Sequence, residues 1–311
     1  MALENLPEYK HKIQQSIAEG SCRGVCVSDC DLTWCFTIRV PTFAAFYFVA
    51  EDEVSFCYAA RLAWQMEIPW KIVGAGSNLI PPDYGFDGVI LSARRLREVS
   101  VQNETVTAGC GCYLQDLLLC LARAGLGGME SLYGIPGTVG GAIRMNAGAH
   151  GCAVSDCLLS ARVFDAGTGK CTYMTVAELR PSYRSTILQS HAGYVVLSAD
   201  FRLRGGLLSA DLHRRIADVT QKRLRSQPIG EPSAGSVFRR PTPDMEVWRL
   251  VEACRLRGAA YGGAQISEKH AGFFINRGNA TARDMRWLLF LVQKRVWEVC
   301  HVALMPEVEF F

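Results

Sequence analysis

Nine of the chain's 29 glycines fall between Gly125 and Gly151, and from Gly134 to Gly151 the chain reads Gly-Ile-Pro-Gly-Thr-Val-Gly-Gly-Ala-Ile-Arg-Met-Asn-Ala-Gly-Ala-His-Gly. A run this poor in side chains is hard to pack as a core, because glycine contributes no side chain to bury and loses the most conformational freedom on folding. It suits a loop whose backbone N–H groups face an anion or a flat cofactor, where a β-carbon would hold the ligand away. A cofactor cradle is the expectation.

A second glycine turn lies upstream, where Lys71–Val73 reads as a short strand and Gly74-Ala-Gly-Ser-Asn-Leu79 follows it. It is not a dinucleotide fingerprint. Leu79 stands where the third glycine would be, and Ile80-Pro81-Pro82 cannot open a helix. The alternatives are an ordinary turn, or a loop whose successive amides bind a pyrophosphate with help from Ser77 and Asn78. Pairing with the second glycine segment favours the latter.

With 311 residues, 49% hydrophobic and 20% charged, the chain is long enough for two domains with substantial cores. Helices are expected over residues 8–18, 51–67, 113–124, 208–224, 245–256 and 281–300. Strands are expected over 36–40, 45–49, 71–73, 88–91, 104–107, 161–164, 171–174, 194–201, 264–267 and 272–276. Such mixing without a regular βαβ period predicts an α+β fold. The composition shift at Gly205-Gly206 places a domain boundary there, giving domains 1–205 and 206–311, the first divided near residue 92.

A net charge of +3 gives no ground for nucleic-acid binding, and the arginines near 202–225 lack aromatic interleaving. No basic segment leads an apolar core at the N-terminus and no run of about 18 apolar residues exists, so no membrane and a cytoplasmic location are expected. The thirteen cysteines then remain thiols. Cys22, Cys26, Cys30 and Cys35 lack CxxC spacing and a histidine partner, so no metal is expected.

Three further positions could carry chemistry. Tyr183-Arg184 sets an arginine beside an aromatic hydroxyl, which by itself reads as a solvated or salt-bridged side chain. Ser236, in Gly235-Ser236-Val237-Phe238, lacks the Gly-x-Ser-x-Gly elbow of a hydrolase. Glu307 enters a final strand, either pointing at water or needing a buried partner.

These segments converge. Gly74–Asn78, Gly134–Gly151, Tyr183-Arg-Ser, Pro232-Ser-Ala-Gly-Ser-Val-Phe, Gly262–Asn276, Asn279–Asp284 and Pro306-Glu-Val follow one another as in the UDP-N-acetylenolpyruvoylglucosamine reductase (MurB) family, whose shorter type the chain resembles over nearly its whole length. The resemblance implies a non-covalent FAD domain of the vanillyl-alcohol-oxidase type with two α+β subdomains, and a smaller α+β substrate domain. It also implies NADPH-dependent reduction of UDP-N-acetyl-enolpyruvoylglucosamine to UDP-N-acetylmuramate for peptidoglycan synthesis, with no obligatory protein partner.

By the family pattern Arg184, Ser236 and Glu307 take the catalytic positions, and Tyr183, Arg184, Ser236 and Arg239 meet the substrate. The FAD falls to Gly74, Ala75, Gly76, Ser77, Asn78, Leu79, Ile135, Pro136, Gly137, Thr138, Gly140, Gly141, Ala147 and Gly148. Hydride addition to the alkene leaves enolate charge beside the substrate carboxylate, which suits Arg184. A proton must then reach the ether-bearing carbon, which suits Ser236, with Glu307 either orienting the enol or acting in proton exchange.

The chain departs from the pattern in three places. Pro41-Thr42 replaces a glycine pair, Met305 replaces an acid, and Ser226 replaces a lysine before Gln227-Pro228, so a diphosphate contact is expected to pass to Arg223, Arg225 or Arg239. The alternatives are a flavin oxidase of the same fold, often tethered to its flavin through histidine, and a non-catalytic flavin-binding regulator. Residues 71–80 hold neither histidine nor cysteine, and Arg184, Ser236 and Glu307 are all present.

Overall fold

The computed structural model describes residues 4–311, so the start of the N-terminal reading, Met1 to Leu3, lies outside the described residues. The chain forms two compact units, each assembled from separated segments. The first takes residues up to Cys30, Ala44–Ala75 and Asp87–Gln221; the second takes Asp31–Phe43, Gly76–Phe86 and Lys222–Phe311. This division differs from a single cut at 205/206. Leu212 and Ile216, on the helix Ser209–Ser226, bury against Ala122 and hold most of that helix in the first unit.

The first unit contains two sheets. One orders Gly24–Asp31, Phe43–Ala50, Phe86–Ser92 and Trp70–Val73, the last two parallel. In Phe43–Ala50 every second residue (Ala44, Phe46, Phe48, Ala50) is buried, the period-2 pattern of a strand with one covered face. The helix Leu6–Ala18 helps to cover it, with Tyr9 edge-on to Phe46 at 5.8 Å and its hydroxyl donating to Ala59 O. The helix Glu53–Gln65 starts where the Asp52 carboxylate accepts the Ser55 N–H at 2.8 Å.

The other sheet is antiparallel, ordered Lys170–Thr175, Leu158–Asp165, Tyr194–Arg202, Thr105–Gly109 and Val99–Gln102. The short helix Val139–Arg144 packs on it. The second unit has a four-stranded sheet, Ser233–Ser236, Phe273–Asn276, Ala264–Ile266 and Ala260–Tyr261, with helices Val247–Ala253 and Ala282–Cys300. The fold is α+β.

Two strand expectations change. Residues 36–40 are not a strand, although Phe36, Ile38 and Val40 are almost fully buried. Arg39 sits at φ 53°, which breaks an extended run, and the carbonyls of Ile38 and Arg39 accept from the Asn276 side chain instead of a neighbouring strand. Conversely Gly24–Asp31, read only for its cysteines, is a strand with so little burial that it shows no alternation of apolar residues. All thirteen cysteines are thiols. Among the described residues no helix is long and apolar enough to cross a membrane.

Candidate active site

In the first unit the two glycine segments touch. A β-carbon at Gly74 would lie 2.4 Å from Thr138 Oγ1, so only glycine lets the upstream loop reach the downstream one. The Gly74 carbonyl accepts from Arg94 Nε at 3.0 Å. Leu114 N–H donates to Gly137 O while Val139 and Gly140 donate to Cys112 O and Cys110 O, locking the entry to the helix Val139–Arg144. Gly140 faces Cys110, whereas a β-carbon on Gly141 would have only Thr138 Oγ1 near, at 3.8 Å.

Among the described residues, the N–H groups of Ala75, Gly137 and Thr138 donate to no protein acceptor. Idle backbone donors on two apposed glycine loops are what a bound pyrophosphate requires. The residues therefore fit the phosphate portion of an FAD. Ile135 and Pro136 lead into this turn, and Ala147 and Gly148 follow the short helix, with Ala147 N–H donating to Ala142 O at 2.8 Å.

The Tyr183-Arg184 turn is bound to the same segment. Asn146 donates to Ser182 O at 2.9 Å and accepts from Ser155 N–H, while Thr186 Oγ1 and Gln189 Nε2 donate to Arg144 O. Gln189 also donates to Arg184 O at 3.1 Å. Arg184 itself has a left-handed backbone, φ 56°, and its Nη2 donates to Gly148 O at 2.7 Å. The guanidinium is thus oriented by the glycine segment, with the exposed Tyr183 ring 5.2 Å from its carbon. A purely solvated arginine would not be so held.

The second unit gathers the remaining positions. Ser236 ends its strand, exposed, opposite Phe273, after Gly235 at φ 81°, while Val237 and Phe238 turn inward. Val237 N–H donates to Gly272 O at 3.0 Å, and Val237 O accepts Glu307 N–H at 2.7 Å. The tail continues the pairing through a Phe238–Pro306 bridge and Arg239 N–H to Met305 O.

Asn78 then joins the upstream loop to this tail. Its Nδ2 donates to Glu307 O at 3.0 Å, its carbonyl accepts Glu309 N–H at 2.9 Å, and Leu79–Ile80 runs parallel to Glu309–Phe310. A β-carbon on Gly235 would meet Ser77 O at 3.9 Å. Gly76, Ser77, Asn78, Ser236 and Glu307 are one neighbourhood within this unit. Glu307 is a residue of that paired tail rather than of an open edge strand.

Sequence reasoning missed the residues that build this neighbourhood. Thr37 N–H donates to Gly76 O at 3.2 Å and its Oγ1 to Ser233 O at 2.6 Å, linking the glycine turn to the strand of Ser236. Asn276, 8% exposed, also accepts from Gly278 and Ala280 N–H, so one side chain serves four backbone groups. Thr42 is buried and donates to Pro82 O at 2.9 Å, which ties the Pro41-Thr42 segment to the loop of Pro82. An asparagine ending a long motif was the only legible signal.

The histidines differ. His150 is exposed. His270 packs against Trp248 and Phe273, and its Nδ1 accepts Gly272 N–H at 3.1 Å. Burial, reinforced by the nearby Arg257 charge, pushes its pKa below the ordinary imidazole value. It is a neutral structural acceptor. No group of three or more His, Cys, Asp or Glu side chains arranged to hold a metal is present among the described residues.

Residues 227–311 match the family model "UDP-N-acetylenolpyruvoylglucosamine reductase, C-terminal domain", and residues 44–174 match an FAD binding domain. A UDP-N-acetylenolpyruvoylglucosamine reductase of Synechococcus sp. (strain RCC307) is 42% identical over 84% of this chain and 86% of its own length. The chain belongs to the UDP-N-acetylenolpyruvoylglucosamine reductase family. It is therefore an FAD-dependent oxidoreductase.

A second reductase of the family, from Fervidobacterium nodosum, is 36% identical over 88% of this chain and 86% of its own length. The crystal structure of the family's enzyme from Thermus caldophilus superposes with a TM-score of 0.77 at 29% identity, covering 93% of this chain and 99% of that one.

Proposed function

We propose that this chain reduces UDP-N-acetyl-enolpyruvoylglucosamine to UDP-N-acetylmuramate with NADPH, as a cytoplasmic step in making peptidoglycan precursors. One observation carries this reading: Val237 O accepts Glu307 N–H at 2.7 Å while Asn78 Nδ2 donates to Glu307 O. Thus an exposed serine, a carboxylate and the first glycine loop, far apart in sequence, are neighbours in one unit.

FAD, when bound non-covalently, supplies the hydride carrier between NADPH and the enolpyruvyl ether. We assign it to Gly74–Leu79, Ile135–Thr138, Gly140, Gly141, Ala147 and Gly148, the segments in which the Ala75, Gly137 and Thr138 amides are idle. We assign residues 1–205 chiefly to the cofactor and 206–311 chiefly to the substrate.

Arg184 binds the substrate carboxylate and answers the negative charge that grows next to it as the alkene is reduced, since a guanidinium stays charged and grips oxygens in pairs. Ser236 gives its hydroxyl proton to the ether-bearing carbon. A hydroxyl is a weak acid, so its conjugate base needs stabilisation in place. Glu307 orients the enol. Tyr183 and Arg239 contact the substrate.

The test uses the purified holoprotein under anaerobic conditions. Its yellow absorption should bleach with NADPH and return on adding the enolpyruvyl nucleotide sugar. Ser236→Ala should bleach as before and fail to recover, slowed by about 100-fold or more. Recovery at the parent rate would remove Ser236 from the reaction, and rapid recovery in air alone would identify an oxidase.

A further inference from the structure

Ser236 lies on the edge strand of its sheet, immediately after a bulge. Ser233 opposes Ile275 and Ser236 opposes Phe273, so Ala234 and Gly235 together face Phe274, with Gly235 at φ 81°. An extra residue of this kind interrupts the ladder, bends the strand and re-aims the side chains beside it. Strand pairing alone therefore leaves the direction of the Ser236 hydroxyl open.

The Ser233 end needs a second support, and the sheet does not give it. Asn276 N–H donates to Pro232 O at 2.9 Å, which makes Ser233 and Ile275 a non-hydrogen-bonded pair and turns the Ser233 carbonyl off the open edge. Thr37 meets it there, its Oγ1 donating at 2.6 Å. The same hydroxyl lies 3.5 Å from Gly76 O, but its single proton serves the nearer carbonyl, and Gly76 O already accepts Thr37 N–H at 3.2 Å. One residue thus grips the glycine turn with its backbone and the Ser236 strand with its side chain.

The segment of Thr37 is held without that hydroxyl. Asn276 donates to Ile38 O and Arg39 O, Cys35 N–H donates to Leu32 O, and Phe36 and Ile38 are buried. Beyond the bulge, Val237 N–H donates to Gly272 O. Between these anchors a β-carbon on Gly235 would meet Ser77 O at 3.9 Å, so the bulge faces the very turn that Thr37 also holds.

We infer that Thr37 is a positioning residue for Ser236: its hydroxyl, by holding the Ser233 carbonyl, sets how far the serine after the bulge reaches toward the Gly76–Ser77 turn. This rests on the proposed role of Ser236 as proton donor, through which Thr37 acts.

The experiment uses the flavin-loaded protein in anaerobic stopped-flow absorbance, in water and in deuterium oxide. Bleaching by NADPH and recovery on the enolpyruvyl nucleotide sugar are followed in the parent, Thr37→Val, Thr37→Ser, Ser236→Ala and the double variant of Thr37→Val with Ser236→Ala. Valine keeps the branched shape and the backbone N–H to Gly76 O and removes only the hydroxyl. Bleaching should keep the parent rate. Recovery at saturating substrate should slow about 10- to 100-fold with KM little changed, because misplacing a proton donor by about 1 Å costs rate rather than binding. The solvent isotope effect on recovery should rise, and Thr37→Ser should restore most of the rate. In the double variant Thr37→Val should add nothing to Ser236→Ala, since both act on one proton transfer.

Recovery of Thr37→Val at the parent rate overturns the inference. So does a slowing that serine fails to rescue, or one that multiplies with that of Ser236→Ala. Should valine disturb folding, Thr37→Ala removes the hydroxyl by truncation and is held to the same rates. Parent-rate recovery in Ser236→Ala would sink the proton-donor reading and this inference with it, whereas slow recovery in Ser236→Ala beside parent-rate recovery in Thr37→Val removes Thr37 alone.

Discussion

Replacing Gly76 with alanine probes the joint on which the second unit's neighbourhood turns. Gly76 sits at φ 61°, and an added β-carbon would lie 2.2 Å from Cys35 O and 2.8 Å from Phe36 Cα. These are backbone atoms, and Phe36 is anchored by burial and by its ring 5.6 Å from Phe311, so the neighbour cannot swing aside. The left-handed conformation costs alanine about 1 kcal/mol. Relieving the overlap costs about 2 kcal/mol more, by analogy with overpacked cores.

Gly20 supplies the control, with φ 77° and nothing within 4 Å of its added β-carbon. Gly20→Ala should therefore lower Tm by only ~2–4 °C, and Gly76→Ala by ~6–12 °C. The displacement also reaches the site, because Thr37 donates to both Gly76 O and Ser233 O. Gly76→Ala should thus release flavin more readily. Scanning calorimetry and the flavin absorbance of the purified variants measure both. Equal Tm losses for the two variants would refute the close-approach argument, since only the conformational cost is common to them.

Arg184→Lys keeps the charge but loses the planar fork that donates to Gly148 O; reoxidation of the reduced flavin by the enolpyruvyl substrate should slow about 100- to 1,000-fold in stopped-flow absorbance, with reduction by NADPH spared. His270 is held below the ordinary imidazole pKa of 6.5 by burial and the Arg257 charge, so the unfolded chain takes up a proton first as pH falls. Its contribution is complete above about pH 6.5 and declines below it until the folded pKa is reached. The urea midpoint should fall over that window in the parent and fall less in His270→Asn, whose amide oxygen can accept the Gly272 N–H without titrating; parallel pH profiles for the two would exclude His270 as a source of the decline.

Much of the local structure was legible. The strand within Phe43–Ala50, the helix from Thr281 and the glycine turns each report a short-range rule of sterics or hydrogen bonding. The family motifs were legible for the same reason, since close backbone approach at Gly74 and a left-handed turn at Gly235 admit few other residues. What misled was residues 36–40, where buried alternation reads as a strand but the hydrogen-bonding partner is the side chain of Asn276.

Taken alone, the amino-acid order determined which backbones must be bare and which faces must be buried. Tertiary structure decided their company. It set Glu307 beside Val237, tied Arg184 to Gly148, and gave residues 31–43 and 76–86 to the unit that holds the C-terminus. The physical reason is range: torsional preference and side-chain periodicity act over a few residues, whereas a hydrogen bond or an unanswered charge depends on what the folded chain brings alongside.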